Sequence, residues 1–453
     1  MTHYQSVQAA EADVNIYVAE MRFFRALEYF NKIQLLGDVP WLEVDLNVDS
    51  EELYGPKMKR NQVFQKIIED LDFAIQWLPE AGSEEANRLN KDIARHVKAR
   101  FCLNEGTHYK YHDELEYASE AEKWLQMAAT ESDKLITSGR YEIYNTGHPQ
   151  EDYFNMYRID DKSDLKEAVL YVDYKTNIRE HNMAAAGREA GCGFSKSFVE
   201  SFLCSDGLPI SLSNKYLGDE TMRKETANRD PRLKQLILTN DFPTNVTDDL
   251  KDSTFVVNED EFITQHCFTG YRPIKGFNPI YSQALYMKSS FDGIAYRYAE
   301  TLLINAEAKA ELNTITNADL DRTVNQLRDR VGMPHLTVNV GFTDPKWPDW
   351  GYSLSPVLQE IRRERCIELA GEGFRFNDLK RWKAGKLLNN VLTYVGKRKP
   401  DGNLAIVYPN YTNPDLSYQA GKSRTWEDKM YLYPIPTGEL QRNPQLLPQN
   451  PGW

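Results

Sequence analysis

Apolar residues recur every three to four positions along four segments of the N-terminal third, which is the spacing of a helix with one buried face. The segments are residues 14–36, 61–78, 90–107 and 117–138. Helix-ending residues follow the first two, with Gly37 after the first and Pro79 after the second. The pattern therefore predicts four helices joined by turns, arranged as helix hairpins, within a first region of residues 1–140.

The pattern changes over residues 141–290, which are rich in Gly, Asn, Asp and Pro and hold only short periodic segments. Residues 167–173 predict a short strand, and the sequence Arg-Asp-Pro-Arg-Leu at 229–233 predicts a turn into another short element. Loops longer than about 15 residues are uncommon in a compact domain unless they are functional or disordered. We therefore predict that this second region is loop-rich and forms the ligand side of the protein.

Helical periodicity returns in a third region, residues 291–453. It covers residues 295–312 and 317–331, and Ser355-Pro356 then provides an N-cap followed by proline at the first helical position. Pairs of helices with small residues at their crossings resemble tetratricopeptide packing. Long insertions interrupt the period, so a regular repeat is not predicted.

The chain ends in an extended segment that is rich in proline. Prolines stand at positions 434, 436, 444, 448 and 451, among the rings of Tyr431, Tyr433 and Trp453. Proline continues neither a helix nor a sheet ladder. The tail is therefore predicted to lie across a preformed surface, with its aromatic rings as anchors.

Composition and charge exclude several functions. The 453 residues are 41% hydrophobic and 27% charged, which is typical of a globular protein. The net charge of −13, without a basic block, argues against binding to nucleic acid or to anionic lipid.

No apolar run approaches the roughly 20 residues of a membrane span. The first residues lack a signal-peptide pattern, so the chain is expected either to be cytoplasmic or to have lost its N-terminus.

The residue types that bind metals are scattered. The five cysteines show no CxxC spacing and predict buried free thiols. His108 and His112 are four positions apart, but zinc would need further ligands, and the acidic stretch 258–261 lacks the glycine of a calcium loop. We therefore expect neither a metal nor a cofactor.

A charged helix is predicted over residues 360–372, and three of its glutamates, Glu360, Glu364 and Glu368, are spaced four residues apart. Carboxylate pairs perform acid–base chemistry in glycoside hydrolases, which keeps a hydrolase among the alternatives. Each glutamate lies near an arginine, however, and an arginine holds a carboxylate ionised. The favoured interpretation is an ion-pair network that ties this helix to its neighbours. Motifs of other catalytic classes, such as GxSxG, HExxH and the P-loop, are missing.

Segments along the whole chain carry a resemblance to a known family. They are Ala19-Glu-Met-Arg-Phe-Phe-Arg-Ala-Leu27 with Gly37-Asp-Val-Pro40, then Arg229–Leu233, then Tyr296–Leu303 with Asn305–Ala308, then residues 360–382 and 431–453. In this order they resemble the SusD/RagB family of surface nutrient-binding lipoproteins of gut-type bacteria. No single segment is specific, but the set covers nearly the whole chain.

The resemblance implies a mainly α fold: tetratricopeptide-like helix pairs forming a right-handed superhelical scaffold, with long irregular loops and minor β-strands. It also implies a carbohydrate or other nutrient ligand, no catalysis, and a partner, a SusC-like TonB-dependent outer-membrane transporter. The implied location is the extracellular face of the outer membrane, through an N-terminal lipid anchor. Family members carry a longer stretch ahead of the helix that here begins near residue 19, so we expect that the chain is truncated and that the anchor is absent from it.

Two loops combine aromatic rings with polar side chains, as a sugar-binding surface does. Rings stack on the C–H faces of a sugar, and Asn, Asp or Arg bind its hydroxyl groups. The predicted ligand contacts are Tyr271, Arg272, Phe277 and Asn278 in the loop 268–278, and Trp347 and Trp350 in the loop 344–352. The alternative is that the rings anchor each loop onto the helices, which is favoured for the second loop because prolines hold it near Ser355.

The sequence thus favours non-catalytic capture of an oligosaccharide for delivery to a transporter. An intracellular tetratricopeptide-type scaffold that binds peptides is the first alternative, and a glycoside hydrolase is the second.

Overall fold

The computed structural model describes residues 11–83, 87–184, 193–264, 267–406 and 424–453. The chain divides into two compact units. The first contains the described residues up to Thr137, together with Lys380–Gly385 and Trp426–Trp453. The second contains Ser138–Leu379 and Lys386–Thr425, so the region 291–453 contributes to both units.

Helices dominate the described chain. The α-helices are α1 Glu11–Leu36, α2 Arg60–Trp77, α3 Lys91–Tyr111, α4 Ala118–Thr137, α5 Asp152–Asn155, α6 Lys196–Ser201, α7 Met222–Thr226, α8 Arg232–Leu236, α9 Tyr298–Glu311, α10 Asn317–Arg322, α11 Val324–Arg330, α12 Pro356–Glu368, α13 Arg375–Arg381 and α14 Thr437–Arg442. The strands are β1 Ala168–Val172, β2 Pro243–Val246, β3 Ser253–Phe255, β4 Gly293–Arg297, β5 Val395–Arg398 and β6 Leu404–Ile406. They form antiparallel two-stranded ladders, β1 with β4, β2 with β3 and β5 with β6.

The first unit packs α1–α4 around an aromatic core, as the apolar spacing predicts. The Phe30 ring stacks on that of Phe101 at 3.6 Å between centroids, and Phe64 meets Trp124 edge-on at 4.8 Å. Gly106 allows α3 and α4 to approach closely, because a Cβ there would lie 2.9 Å from Leu125 Cγ. Close packing of large rings against small residues thus fixes the helix hairpins.

The proline-rich tail lies in the first unit, and its asparagine side chains donate hydrogen bonds to backbone carbonyls there. Asn450 Nδ2 donates to Leu36 O at 2.9 Å, and Asn443 Nδ2 donates to Gly55 O at 2.9 Å. Tyr431 is buried, and its hydroxyl accepts a hydrogen bond from the Gly385 backbone N–H at 3.0 Å. The tail therefore lies on the helix ends and their loops, with Tyr431 as an anchor.

Two helices predicted from the sequence are interrupted in the second unit. The segment predicted as one helix over 317–331 forms α10 and α11, because Thr323 adopts φ −128° and ψ −95°, outside helical geometry. The charged helix ends as α12 at Glu368, and Gly371 and Gly373 then adopt positive φ. Glycine tolerates this left-handed conformation without steric strain. The predicted Ser355 cap is present, with Ser355 Oγ accepting from the Leu358 N–H.

The four described cysteines are free thiols, and three of them are buried as predicted. Cys102, Cys204 and Cys267 are buried free thiols, Cys366 is half-buried, and Cys192 lies outside the described residues. The His108 and His112 rings stack at 4.0 Å. Among the described residues, no group of three or more His, Cys, Asp or Glu side chains is placed to hold a metal ion.

The core of the second unit contains a buried network of arginines and glutamates centred on Glu368. Its carboxylate accepts from Arg330 at 2.6 Å, from Arg297 at 2.6 Å and from Arg232 at 3.0 Å. Burial opposes ionisation of Glu368, but the three arginines outweigh it and hold its pKa well below the usual range. Glu364, one turn earlier, also binds Arg232. The charged helix therefore takes part in a buried ion-pair network, which is the interpretation favoured from the sequence.

Replacing Glu368 by Gln leaves three buried guanidinium groups short of their shared counter-charge. We expect Glu368→Gln to lower the free energy of unfolding by about 3–5 kcal/mol, the cost of removing one partner of a buried pair. Guanidinium chloride denaturation measures it. Asp401→Asn, at an exposed turn where Asp401 binds Lys399, is the matched control and should leave the unfolding midpoint nearly unchanged. Equal effects of the two variants would contradict a central role for the network.

Stability is expected to fall in acid because the native state holds carboxylates ionised. Burial of Asp219 opposes ionisation, but hydrogen bonds from Arg398 and Lys196 lower its pKa to about 2. A carboxylate with a lowered native pKa stabilises the fold above its unfolded pKa, near about 4, and loses that contribution as the pH falls toward the native value. The unfolding midpoint, followed from pH 7 to 2, should drop below about pH 4.5. Asp219→Asn should flatten this drop, and an unchanged drop would contradict the assignment.

Candidate functional site

The loop 268–278 passes through the interior of the second unit. Its backbone is bonded on one side to Phe194, whose N–H donates to Tyr271 O at 2.9 Å. On the other side it forms backbone hydrogen bonds with the end of α8 and the residues that follow. Leu238 N donates to Arg272 O at 2.8 Å, and Ile274 N donates to Leu236 O at 2.9 Å. The loop is therefore framed by backbone pairing on both edges.

Tyr271 is fully buried, with 0% of its surface exposed. Its hydroxyl donates to the Glu225 carboxylate at 2.8 Å and accepts from Lys196 Nζ at 3.3 Å. Burial, together with the Glu225 charge, raises the pKa of Tyr271 well above the usual range, and burial also raises the pKa of Glu225. Tyr271 thus belongs to a buried polar cluster and presents no ring face to a ligand.

The other predicted residues of this loop are also largely enclosed. Phe277 is 3% exposed and packs near Phe242, with 6.1 Å between ring centroids. The Arg272 guanidinium lies 5.8 Å from the Phe277 ring centroid, and Asn278 Oδ1 accepts from Ile280 N at 3.1 Å. Stacking on a sugar needs an accessible face, so the stacking role predicted for Tyr271 and Phe277 does not fit their positions.

The two tryptophans of the loop 344–352 donate hydrogen bonds to side chains of α12. Trp350 is buried, with its Nε1 donating to Gln359 at 2.6 Å and the Arg362 guanidinium 4.8 Å from its ring centroid. Trp347 is half-buried and donates to Glu360 at 2.7 Å. These contacts anchor the loop, which is the favoured alternative from the sequence, and only Trp347 keeps part of its surface open. The hydrogen bonds of the described residues hold the two predicted loops against different elements. These bonds therefore do not bring the six predicted residues together in one site.

Exposed rings occur a few residues further along, in the segment 281–288, which we call the tyrosine loop. Tyr281 is 51% exposed and Tyr286 is 73% exposed. Among the described residues of the second unit, the other exposed large aromatics are the single rings Phe255 and Phe376. The tyrosine loop therefore offers two accessible rings in one short segment.

Hydrogen bonds on both sides hold the backbone of the tyrosine loop. Tyr281 N donates to Val246 O at 2.9 Å, and Ser282 N donates to Asp248 Oδ1 at 2.9 Å, next to the hairpin of β2 and β3. Met287 N donates to Asn182 Oδ1 at 3.0 Å. Hydrogen bonds near both of its ends thus fix the loop to its neighbours.

A second loop, residues 176–184, runs beside the tyrosine loop. His181 and Ser289 exchange backbone hydrogen bonds, 2.9 Å from His181 N and 3.1 Å from Ser289 N. Lys288 Nζ binds Glu180 at 3.1 Å. The two loops therefore form one joined surface.

Sequence reasoning missed the tyrosine loop, although a signal was present. Tyr281 and Tyr286 are large rings in a segment without helical or strand periodicity, directly after the predicted loop that ended at Asn278. Periodicity identifies buried faces only in regular elements. In an irregular segment it does not separate a ring that anchors the chain from a ring that faces water.

The comparison with known families identifies the chain. The model of the SusD family matches residues 135–453, which is most of the sequence. The chain belongs to the SusD family, and the resemblance stated from the sequence is confirmed.

Relatives of known name agree with this assignment. SusD-like protein P2 of Formosa agariphila is 25% identical over 456 residues, which cover 98% of this chain and 75% of the relative. SusD-like protein P25 of the same organism is 24% identical over 455 residues, covering 96% of this chain and 72% of the relative.

Solved structures share the fold. A SusD-like protein from Bacteroides fragilis has a TM-score of 0.73 at 24% identity, covering 99% of this chain and 82% of that one. A SusD-like carbohydrate-binding protein from the same species has a TM-score of 0.70 at 22% identity, covering 98% and 83%. The predicted mainly helical fold with tetratricopeptide-like helix pairs is confirmed.

The structure gives Tyr271 a packing role that mutation can separate from ligand binding. Tyr271→Phe removes a hydroxyl from a buried polar cluster and is expected to lower the free energy of unfolding by about 1–3 kcal/mol. The same change at exposed Tyr281 should alter it by no more than about 0.5 kcal/mol. Chemical denaturation of both variants measures the difference. Normal stability of the Tyr271→Phe protein would contradict the packing role of the hydroxyl.

Proposed function

We propose that this protein binds a glycan at the cell surface, without cleaving it, and passes it to a TonB-dependent outer-membrane transporter. The observation that carries the proposal is the pair of exposed rings, Tyr281 and Tyr286, on a loop whose backbone is fixed from both sides. An exposed ring is a flat apolar surface with a polar hydroxyl at its edge. That combination matches the C–H face and the hydroxyl rim of a sugar.

The fixed backbone of the tyrosine loop favours binding. A ligand that orders a mobile loop loses affinity to the entropy of ordering, whereas a preformed surface avoids that cost. Here Ser289 Oγ donates to Gln283 O at 2.9 Å, and Ser290 N donates to Gln283 Oε1 at 3.2 Å. These bonds brace the loop from inside and support its use as a rigid platform.

Family membership supports a carbohydrate as the ligand. The SusD family comprises surface-associated, nutrient-binding proteins, and a solved relative from Bacteroides fragilis is described as carbohydrate-binding. Of the six residues predicted from the sequence, Asn278 lies closest along the chain to the tyrosine loop. Asn278 is buried, however, and its carboxamide oxygen already accepts from Ile280 N. Of the six we therefore retain the half-buried Arg272 as a hydroxyl partner and the half-buried Trp347 as a secondary ring.

The ion pairs of Glu364 and Glu368 in α12 support binding without hydrolysis by this helix. A glycosidase needs one carboxyl group that is protonated near neutral pH. Glu368 is held ionised by three arginines, and Glu364 is paired with Arg232 and Arg328. A carboxylate held ionised like Glu368 is a poor proton donor, and the buried ion pairs of Glu364 suit a structural role.

The proposed location is the extracellular face of the outer membrane, with attachment through a lipid as in the family. Among the described residues, no helix combines the length and hydropathy of a membrane span. A transporter of the SusC type is the proposed partner, and the family resemblance supports it.

The first experiment is a glycan-array screen of the purified chain, followed by analysis of the products of every hit. Binding with intact glycans is expected, and released fragments would favour the hydrolase instead. Peptide binding without glycan binding would favour the tetratricopeptide-type scaffold.

The two rings of the tyrosine loop are then tested by calorimetry with the identified glycan. Tyr281→Ala and Tyr286→Ala should each weaken binding by about 1–2 kcal/mol, the range for a ring at the centre of an interface. Tyr17→Ala removes an equally exposed tyrosine from α1 in the first unit and is the matched control. Unchanged affinity in both loop variants would move the site elsewhere.

A further inference from the structure

The rings of the tyrosine loop are accompanied by exposed aliphatic side chains. Leu285 and Met287 lie in the same loop, and Ile178 and Met183 lie in the neighbouring loop 176–184. All four side chains are exposed, from 40% for Leu285 to 78% for Ile178. A surface that recognised hydroxyl groups alone would have polar side chains at these positions.

Specific contacts set the positions of the two methionines. Met183 N donates to His181 Nδ1 at 3.1 Å, and Met183 Cγ lies 3.1 Å from the place that a Cβ on Gly276 would occupy. Met287 adopts φ 56° while its N–H is bonded to Asn182 Oδ1. A non-glycine residue keeps this left-handed conformation only where its surroundings impose it. The thioether side chains are therefore carried by a defined backbone beside the rings.

Aliphatic side chains gain little from contact with a hydroxyl, which must give up water to reach them. They gain from contact with a methyl group, because both surfaces leave water together. Methyl groups on sugars occur as C6 of a 6-deoxyhexose or as the methyl of an acetyl substituent. Thioether side chains, which are flexible and polarisable, adapt to such small protrusions.

We propose that the tyrosine loop and the loop 176–184 together select glycans whose sugar rings carry methyl groups. The inference rests on the proposed function and deepens it: the rings of Tyr281 and Tyr286 bind the sugar faces, while Met183 and Leu285, with their exposed neighbours, contact the methyl groups. The ligand class is a 6-deoxy or acetylated glycan.

Matched pairs of ligands test the selection. L-Fucosides against L-galactosides, and L-rhamnosides against L-mannosides, differ only in the C6 hydroxyl. Chito-oligosaccharides against cello-oligosaccharides, and acetylated against deacetylated xylo-oligosaccharides, differ in an acetyl-bearing group. Calorimetry on the whole chain should show tighter binding of the methyl-bearing member in one set, about fourfold for each methyl group that is buried. The set that responds distinguishes a deoxy sugar from an acetylated one.

Variants connect the preference to the two loops. Met183→Gln and Leu285→Asn keep the approximate size of each side chain but make it polar, and each should bring the affinity ratio of the preferred pair toward one. Leu217→Asn, an exposed leucine of the same unit outside both loops, is the control and should keep the ratio. The two variants lie on separate loops. If one of them fails to fold, the other still tests whether the loops cause the methyl preference.

The outcomes separate the two proposals. Equal affinity for both members of every pair would overturn the selection and leave glycan binding standing. A methyl preference that both loop variants retain would likewise overturn it, since the preference would then arise elsewhere. Absence of binding to any glycan would overturn the proposed function together with this inference. The exposed aliphatic surface would then be interpreted as a contact for a protein partner.

Discussion

The second unit depends on the buried ion-pair network around Glu368. One carboxylate receives three guanidinium groups from distant parts of the chain: Arg232 at the start of α8, Arg297 at the end of β4 and Arg330 at the end of α11. Burying these charges is costly, and burying any of them without its partner would cost far more. The network thus acts less as a source of stability than as a constraint, because few arrangements of these segments satisfy all the charges together.

The constraint reaches the loop 268–278 through backbone pairing. Arg232 fixes the start of α8, and Leu236 and Leu238, at and after its end, pair with the chain at residues 272–274. Tyr271 extends the buried polar arrangement through Glu225 and Lys196. The segment that leads to the tyrosine loop is therefore held by the interior, so the exposed rings stand on a rigid base. A binding protein gains from this arrangement, because rings that are already in place bind without a cost in loop ordering.

The sequence predicted the helical framework with good accuracy where a regular period was present. The four N-terminal helices, the strand near residue 170 and the Ser355 cap all follow from local patterns, and the structure contains them within a few residues. The prediction of one continuous helix over 317–331 was wrong. The helix breaks at Thr323, a single residue with non-helical backbone angles inside a helical apolar pattern. Single-residue breaks leave the apolar period almost unchanged, which is why the pattern does not reveal them.

Local patterns along the chain were enough to predict the helices, their buried faces, the proline-rich tail and membership of the SusD family. Which rings are accessible to solvent depends on contacts between distant parts of the chain. Tyr271 and Tyr281 are ten positions apart in similar Gly-, Pro- and Asn-containing surroundings, yet one is fully buried and the other half exposed. The physical reason is that an irregular segment has no fixed relation between neighbouring positions and a buried face. Its burial is set by distant partners, here Glu225 for Tyr271 and the loops around Asn182 and Asp248 for the tyrosine loop.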